Sequence, residues 1–459
     1  MLSIKVNRTE KRAIFSLSLI MGLRMIGLFM VLPVFTLYAH HLQGATSTLI
    51  GLALGIYGLS QALCQIPFGT LSDRFGRKPI ILIGLLLFMS GSLVAGFAHS
   101  MIYMIIGRAL QGAGAIGSTV LATIADLTRE EQRTKAMAIT GVTIGLSFAI
   151  AMVIGPLFMK WISVSGLFFL ATLFGSCAIL ILYTLVPTPQ KLAWHRDTEP
   201  ELKSFFKVLK DKDLIKLNTG IFLLHAIFTA SFIVIPISLF TFAKFPATQQ
   251  WTLYLPTLLI AFVISLICIG FAERKRKIKP YFLGAISAIA LASLLLWLAP
   301  QSLFLAAIAL TLFFGGFSLL EAFLPSLISR SAPIARKGTA MGIYSSSQFL
   351  GIFVGGLLGG WLYGKFSFTG VYLFSLLLSF VWLALALFMQ SPRYLTNYLL
   401  RLSERHTNFE SLTMNLKKIP GIVEVSLIAE EGMAYLKMER ETLQHPDFIR
   451  LKEELQSQS

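Results

Sequence analysis

Gly69-Thr70-Leu71-Ser72-Asp73-Arg74-Phe75-Gly76-Arg77-Lys78 packs four charges and two glycines into ten residues. On either side the chain is almost free of charge: residues 48–70 lead into the cluster, and Pro79 opens the run 79–97 that leaves it. A charged knot between two apolar segments of about twenty residues is what a reversal between two bilayer crossings requires, because a hydrocarbon core of about 30 Å takes roughly twenty helical residues to span. Within the knot, Gly76 permits a tight reversal and Gly69 a close helix contact. Asp73 stands within reach of basic residues with which it can form charge-assisted bonds.

The pattern repeats along the chain. Ile80–Ala98 and Phe368–Gln390 contain no charged residue, and only 13% of the 459 residues are charged against 55% hydrophobic. Mean hydropathy is +0.75. A soluble domain carries about a quarter charged residues, so this is a membrane protein. Twelve spans are expected, at 13–39, 48–70, 79–97, 101–125, 134–159, 164–186, 214–240, 250–272, 280–298, 303–328, 337–364 and 369–390. They are numbered 1 to 12 below.

The formal net charge of +17 would suggest nucleic acid in a soluble protein. Here the basic residues gather in short loops on one side: Lys5, Arg8, Lys11 and Arg12, then Arg74, Arg77 and Lys78, then Arg129, Arg133 and Lys135. The same side holds the 187–213 loop, Arg274–Lys279, and Arg330, Arg336 and Lys337, whereas the other has only Lys160, Lys244 and Lys365. Basic loops stay inside. The expectation is a multi-pass protein of a bacterial inner (plasma) membrane with both termini cytoplasmic, in contact with the lipid bilayer and not with nucleic acid. Met1–Arg12 reads as the retained cytoplasmic flank of span 1, without a small-residue cleavage site. Cys64, Cys177 and Cys268 lie inside apolar segments without metal-ligand spacing, which argues against a disulfide framework and a metal site.

The chain also repeats itself. Gly69 with Lys78-Pro79 recurs as Gly270 with Lys279-Pro280, and Arg133-Thr-Lys-Ala-Met has a looser echo in Arg336-Lys-Gly-Thr-Ala-Met. Residues 187–213, mixed in charge, separate two six-span halves. The expected division is 1–186 as the first bundle, 187–213 as a cytoplasmic linker, 214–392 as the second bundle and 393–459 as a soluble cytoplasmic domain. Two homologous bundles with a site between them is a transporter plan.

The knot Gly69–Lys78 resembles the signature loop of the major facilitator superfamily, Gly-x-Leu-Ala-Asp-Arg-x-Gly-Arg-Lys. That resemblance implies an all-α membrane fold of two pseudo-symmetric six-helix bundles. It also implies a charge latch of Gly69, Asp73, Arg74, Gly76, Arg77 and Lys78, in which Asp73 contacts a helix end of the opposite half while Arg77 reaches Asp126 with Arg133 nearby. The plain alternative is a turn whose charges merely obey topology. Arg108-Ala-Leu-Gln111-Gly112 in span 4 resembles the family's second motif, in which a membrane-embedded Arg is tied to proton coupling; the alternative is a clamp onto neighbouring helix carbonyls. In span 5, Gly145 and then Gly155-Pro156 resemble the antiporter signature of drug:proton exporters. Leu157-Phe158-Met159 follow where that branch often has further glycines.

Other ionisable groups stand at membrane depth, where they are functional candidates by default. Glu321 in span 10 is the leading proton carrier, since a carboxyl in an apolar cavity can cycle its proton; the alternative is a static pair with Arg24 or His225. His225 in span 7 is either a proton shuttle or a neutral hydrogen-bonding residue. Arg24 occupies span 1, where many drug antiporters of the family carry an acidic residue. Phe29, Met30, Tyr57, Phe232 and Phe349 either line an adaptable pocket for apolar cargo or serve lipid contact and helix packing.

After Pro392 the composition turns soluble. Strand-like alternation at 394–402, 422–429 and 433–439 and helical spacing at 406–418 and 446–456 predict a small α+β unit of ferredoxin-like type, βαββα. It resembles metal-carrier domains but lacks their Cys-x-x-Cys, so no metal is expected there. A regulatory or oligomerising role and a stabilising appendage both fit. A tail of this kind, with Gly22–Pro33 in span 1, resembles bacterial exporters of the superfamily that carry such a domain.

Neither a P-loop, nor His-Glu-x-x-His, nor a nucleophile elbow occurs, so neither ATP use, nor a cofactor, nor an enzyme is indicated. The function these features imply is proton-coupled export of small molecules, drug-like or metabolite, by alternating access. Two alternatives are a proton-coupled uptake symporter and a transport-dead sensor acting through the tail.

Overall fold

The computed structural model describes residues 7–188, 208–333, 336–389, 395–401, 409–428 and 433–450. Most of the expected linker, 187–213, lies outside these residues.

All twelve expected spans are helical. Span 1 is Arg8–Phe29 continued by Leu32–Ala39, span 2 Ser47–Phe75, span 3 Arg77–Gly96, and span 4 Met101–Ala113 with Gly117–Leu127. Spans 7 to 10 are Lys212–Thr241, Trp251–Arg274, Ile278–Leu298 and Leu303–Ser331. Their starts follow from local chemistry. Asn7 and Glu10 form a reciprocal cap at the head of span 1, and Thr46, Asp211 and Ser302 accept backbone N–H bonds at the heads of spans 2, 7 and 10.

Two expected spans need correction. Spans 1 and 4 are each broken. Span 1 restarts at Leu32-Pro33, where proline is well placed in a first turn. Span 4 is interrupted over residues 114–116. A Cβ at Gly114 would come within 2.3 Å of the Gly84 carbonyl, so the break follows a close approach to span 3. Spans 5 and 6 follow each other directly within Glu130–Thr184 and part at Ser163, φ 56°, between the expected 134–159 and 164–186; spans 11 and 12 do the same within Lys337–Leu387 and part at Ser367, φ 57°, between 337–364 and 369–390. Such a left-handed residue costs a non-glycine side chain about 1–2 kcal/mol, and two serines bear it at corresponding places.

The two halves are built alike to the level of single bonds. Lys78 Nζ donates to the Val186 carbonyl at 2.8 Å, and Lys279 Nζ to the Leu387 carbonyl at 2.8 Å, each partner 108 residues on. Arg12 Nη2 donates to Thr184 and Lys216 Nζ to Phe388, each 172 residues on. In each half, cations at the end bearing the basic loops hold the carbonyls of the sixth helix, whose C-terminus is the negative end of its dipole. The outward faces carry Leu63, Ile102 and Phe304, all more than 60% exposed, as lipid contact requires.

The halves meet away from the basic loops. There span 2 lies against span 11 with almost no side chain between them: a Cβ at Gly51 would fall 2.2 Å from the Gly356 carbonyl oxygen, and one at Gly58 2.4 Å from that of Phe349. Nearer the basic loops, a Cβ at Gly141 or Gly145 in span 5, or at Gly342 in span 11, would meet nothing within 4 Å. The seam is therefore shut at one end and parted at the other.

The tail is a three-stranded antiparallel sheet, order β1-β3-β2, of β1 Leu395–Arg401, β2 Ile422–Ile428 and β3 Met433–Glu439, with the helix Phe409–Lys418. Leu400, Leu412, Leu416, Ile419, Leu436, Met438 and Phe448 form its core. A 3-10 turn, Arg440–Gln444, precedes the last helix, which is described over 446–450. On the other face of β3, Lys437 is 6% exposed and donates to the Ala332 carbonyl at the end of span 10. Glu441 pairs with Arg276 beyond span 8 at 3.0 Å. These two contacts join the domain to the basic end of the second half.

Candidate functional site

Within the second half, three polar side chains from three spans converge. Glu321 (span 10) accepts a hydrogen bond from Gln348 Nε2 (span 11) at 3.0 Å. The same amide nitrogen lies 3.0 Å from His225 Nε2 (span 7). His225 Nδ1 faces the Ile221 carbonyl, which can only accept, so Nδ1 carries the proton and Nε2 accepts from Gln348. Nε2 stands 3.5 Å from Glu321 Oε1. Glu321 retains 30% of its side-chain exposure and Gln348 is half-buried, while His225 keeps 7%; the carboxylate and its amide partner lie nearer open space than the imidazole.

On the sealed side of this set, phenylalanines from both halves stack. Phe317 meets the His225 ring at 5.6 Å and Phe228 at 4.7 Å; Phe148 of span 5 reaches Phe228 at 5.6 Å, and Phe29 of span 1 reaches Phe148 at 5.2 Å. Tyr57 and Phe349 make a second contact between the halves, edge to face at 6.4 Å. Of the aromatic and methionine candidates, Phe29, Tyr57 and Phe349 stand at this seam, whereas Met30 and Phe232 are packed away in the core.

The first half holds the two buried arginines. Arg24 Nη2 donates to Gln61 Oε1 at 3.1 Å, and Tyr57 donates to the same oxygen. Arg108 makes the carbonyl clamp, bonding Ala53 at 3.3 Å and Gln111 Oε1 at 2.9 Å, with its guanidinium over the Tyr57 ring. Gln111 passes on to Ser92 at 2.8 Å. No described contact joins Arg24 to Glu321.

At the basic end the signature loop forms a compact ion cluster. Arg77 bonds Asp126 at 2.8 Å, Ser72 at 2.7 Å, and Asp73. Arg133 donates to the Ala125 carbonyl, one residue from Asp126, and Arg74 is exposed. Among the described residues Asp73 makes no contact with the opposite half; its carboxylate pairs with Arg77. Gly76, at φ 93°, supplies the reversal. Gly155 is needed for span packing, since a Cβ there would fall 2.0 Å from the Met30 carbonyl at the break in span 1; Pro156 follows within the helix and Gly145 stands in open space.

Gln348 and Gln61, which tie these sets together, escaped the sequence reading. The signal was present: Ser345-Ser346-Ser347-Gln348 is a polar run inside an apolar span, and such a run needs partners at membrane depth.

Comparison with known proteins agrees with this architecture. Residues 17–335 and 301–399 match the Major Facilitator Superfamily. The inner membrane transport protein YajR of Escherichia coli K12 is 44% identical over 435 residues, 95% of this chain and 96% of that protein. The quinolone resistance protein NorA of Staphylococcus aureus MRSA252 is 30% identical over 220 residues, 48% of this chain and 54% of NorA. Among solved structures, a bacterial homologue of the human lysosomal transporter Spinster, inward-facing and occupied, superposes with TM-score 0.66 at 15% identity, covering 84% of this chain and 98% of that one. The human organic anion transporter MFSD10 does so with TM-score 0.62 at 19% identity, covering 83% of this chain and all of that one; at such identities these two speak for the fold alone. The signature loop, the twelve spans in two like halves and the match along most of the chain agree: the protein belongs to the Major Facilitator Superfamily.

Proposed function

We propose that the chain is a proton-coupled secondary transporter that exports a small molecule across a bacterial inner membrane by alternating access. The observation that carries this reading is Glu321 bonded to Gln348 beside His225 and partly open to the parted side of the seam. Among the described residues it is the only acidic side chain at mid-membrane depth. A carboxylate so placed can load and release a proton according to which side the seam opens. By the positive-inside rule the parted end is cytoplasmic and both termini face the cytoplasm. Rocking of the bundles 1–186 and 214–392 about the 187–213 linker would shut that end and bring Asp73 against the opposite half, while the domain 393–459 stays on the second bundle. NorA, by its name an agent of quinolone resistance, supports the direction.

The test is proton release from everted membrane vesicles on addition of candidate cargoes, wild type against Glu321→Gln. The expected result is compound-dependent release that disappears in Glu321→Gln. Release that persists in the variant would remove Glu321 from the relay, and compound uptake that runs with the proton would reverse the proposed direction.

A further inference from the structure

The electrostatics of the membrane interior are lopsided. Arg24 is 1% exposed, and among the described residues its guanidinium meets only neutral groups: Nη2 donates to the Gln61 amide oxygen that Tyr57 also uses, and the Tyr57 hydroxyl lies beside it. Its Nε and Nη1 are buried without a hydrogen-bond partner among the described residues. The face of Phe88 lies 5.7 Å from Cζ. Arg108, 5% exposed, likewise bonds only neutral oxygens. Between Glu10 and Asp126 the sequence holds one acidic residue, Asp73, and it is spent on Arg77 in the loop. The interior of the first half therefore carries two guanidinium charges and no carboxylate. The single mid-membrane carboxylate, Glu321, belongs to the other half and is engaged by Gln348 next to His225.

An unneutralised charge at lipid depth is costly, and residues that bear it are held for a partner. In a low-dielectric cleft the field of two fixed cations is focused on whatever enters. A cationic cargo would meet repulsion from both, whereas an anion would find in Arg24 a donor with nitrogens still to be satisfied. Phe29, Phe148, Phe228 and Phe317, between the halves, offer an apolar surface to the remainder of such a molecule.

Resting on the reading that cargo passes between the two halves, we propose that this transporter takes an amphipathic organic anion, a carboxylate or sulfonate on an apolar body, with Arg24 as the charge-recognising residue. Gln61 is then a positioning residue that orients the guanidinium from one side.

The test is isothermal titration of the full-length purified protein with probes of one shape and different charge: 2-naphthoate, 2-naphthalenesulfonate, neutral 2-naphthamide and cationic 2-naphthylmethylammonium. The two anions are expected to bind at least about tenfold tighter than the amide, the range a hydrogen bond to a charged group supplies, and the cation weakest. Arg24→Gln should erase the preference and Arg24→Lys should keep part of it. Since Arg24→Gln disturbs a buried network, Gln61→Glu serves as the independent check. It sets a carboxylate of the chain's own beside Arg24, so thermal denaturation should show a midpoint at or above wild type while the anion preference disappears. Anions binding no better than the amide, or a preference that survives both Arg24→Gln and Gln61→Glu, would overturn the proposal. Titration in detergent needs no gradient, so failure of proton coupling leaves this result standing, and failure here leaves the vesicle result standing.

Discussion

Replacing Arg77 by alanine should destabilise the protein by about 3–5 kcal/mol, the loss expected when one member of a buried ion pair is removed and the other stays behind. Arg77 and Asp126 have side-chain exposures of 5% and 2%, and the 2.8 Å bond between them ties the head of span 3 to the end of span 4. Without the guanidinium, Asp126 is a carboxylate shut away from water with its cation gone. Thermal denaturation in detergent gives the measurement. The double variant Arg77→Met with Asp126→Leu should recover most of the lost stability, because an apolar pair of similar volume avoids burying charge at all. Asp73→Asn should cost far less, since Asp73 is 35% exposed and water stabilises it without Arg77. Equal losses for Arg77→Ala and the double variant would mean the cluster acts through packing rather than charge.

Gly356→Leu should have the second large effect, on the balance of states. A Cβ at Gly356 would lie 2.6 Å from the Gly51 carbonyl oxygen, 2.7 Å from Gly55 N and 2.8 Å from Gly55 Cα, all backbone atoms of span 2 that no rotamer change can move. The seam between spans 2 and 11 tolerates only glycine there. Overpacking of this kind costs about 1–3 kcal/mol, which falls on the described state and not on one in which the spans have parted. The expected result is a roughly 5- to 150-fold shift toward the state open at the sealed end, read as faster labelling of a cysteine placed at Thr46. Unchanged labelling with an unchanged denaturation midpoint would show that the seam yields elsewhere.

The sequence reading carried the fold well where physical constraint is strongest. Span lengths are dictated by the bilayer, and Lys78-Pro79 with Lys279-Pro280 marked a repeat that proves to be a shared bond to the sixth helix of each half. Breaks were less legible. Those in spans 1 and 4 depend on where another helix's carbonyl comes close, as at Gly155 and Gly114, and such an approach leaves no periodic trace. Conversely, Ser163 and Ser367 turn the chain in a single left-handed residue, a place where glycine would be expected. At the site, ionisable residues announced themselves by rarity, so Glu321, His225, Arg24 and Arg108 could be named in advance. The nearness of Glu321 to His225 was one of the alternatives read in advance, whereas their amide partners could not be named. Glu321 meets His225 through Gln348, and Arg24 meets Gln61, because neutral amides supply hydrogen bonds at depth without adding charge. The loop latch was legible within its own half, from Arg77 to Asp126, while among the described residues Asp73 pairs with Arg77 and makes no contact with the opposite half.

The measurement that tests the account most directly is the distance between the two halves at the basic end as a function of pH. It would be read by double electron–electron resonance between nitroxides at the exposed positions Lys135 and Lys275, with Cys64, Cys177 and Cys268 replaced. The account predicts two distances whose proportions change with pH, and proportions that no longer respond to pH in Glu321→Gln. A single distance at every pH, or a pH response that survives in Glu321→Gln, would contradict proton-driven alternation through this site.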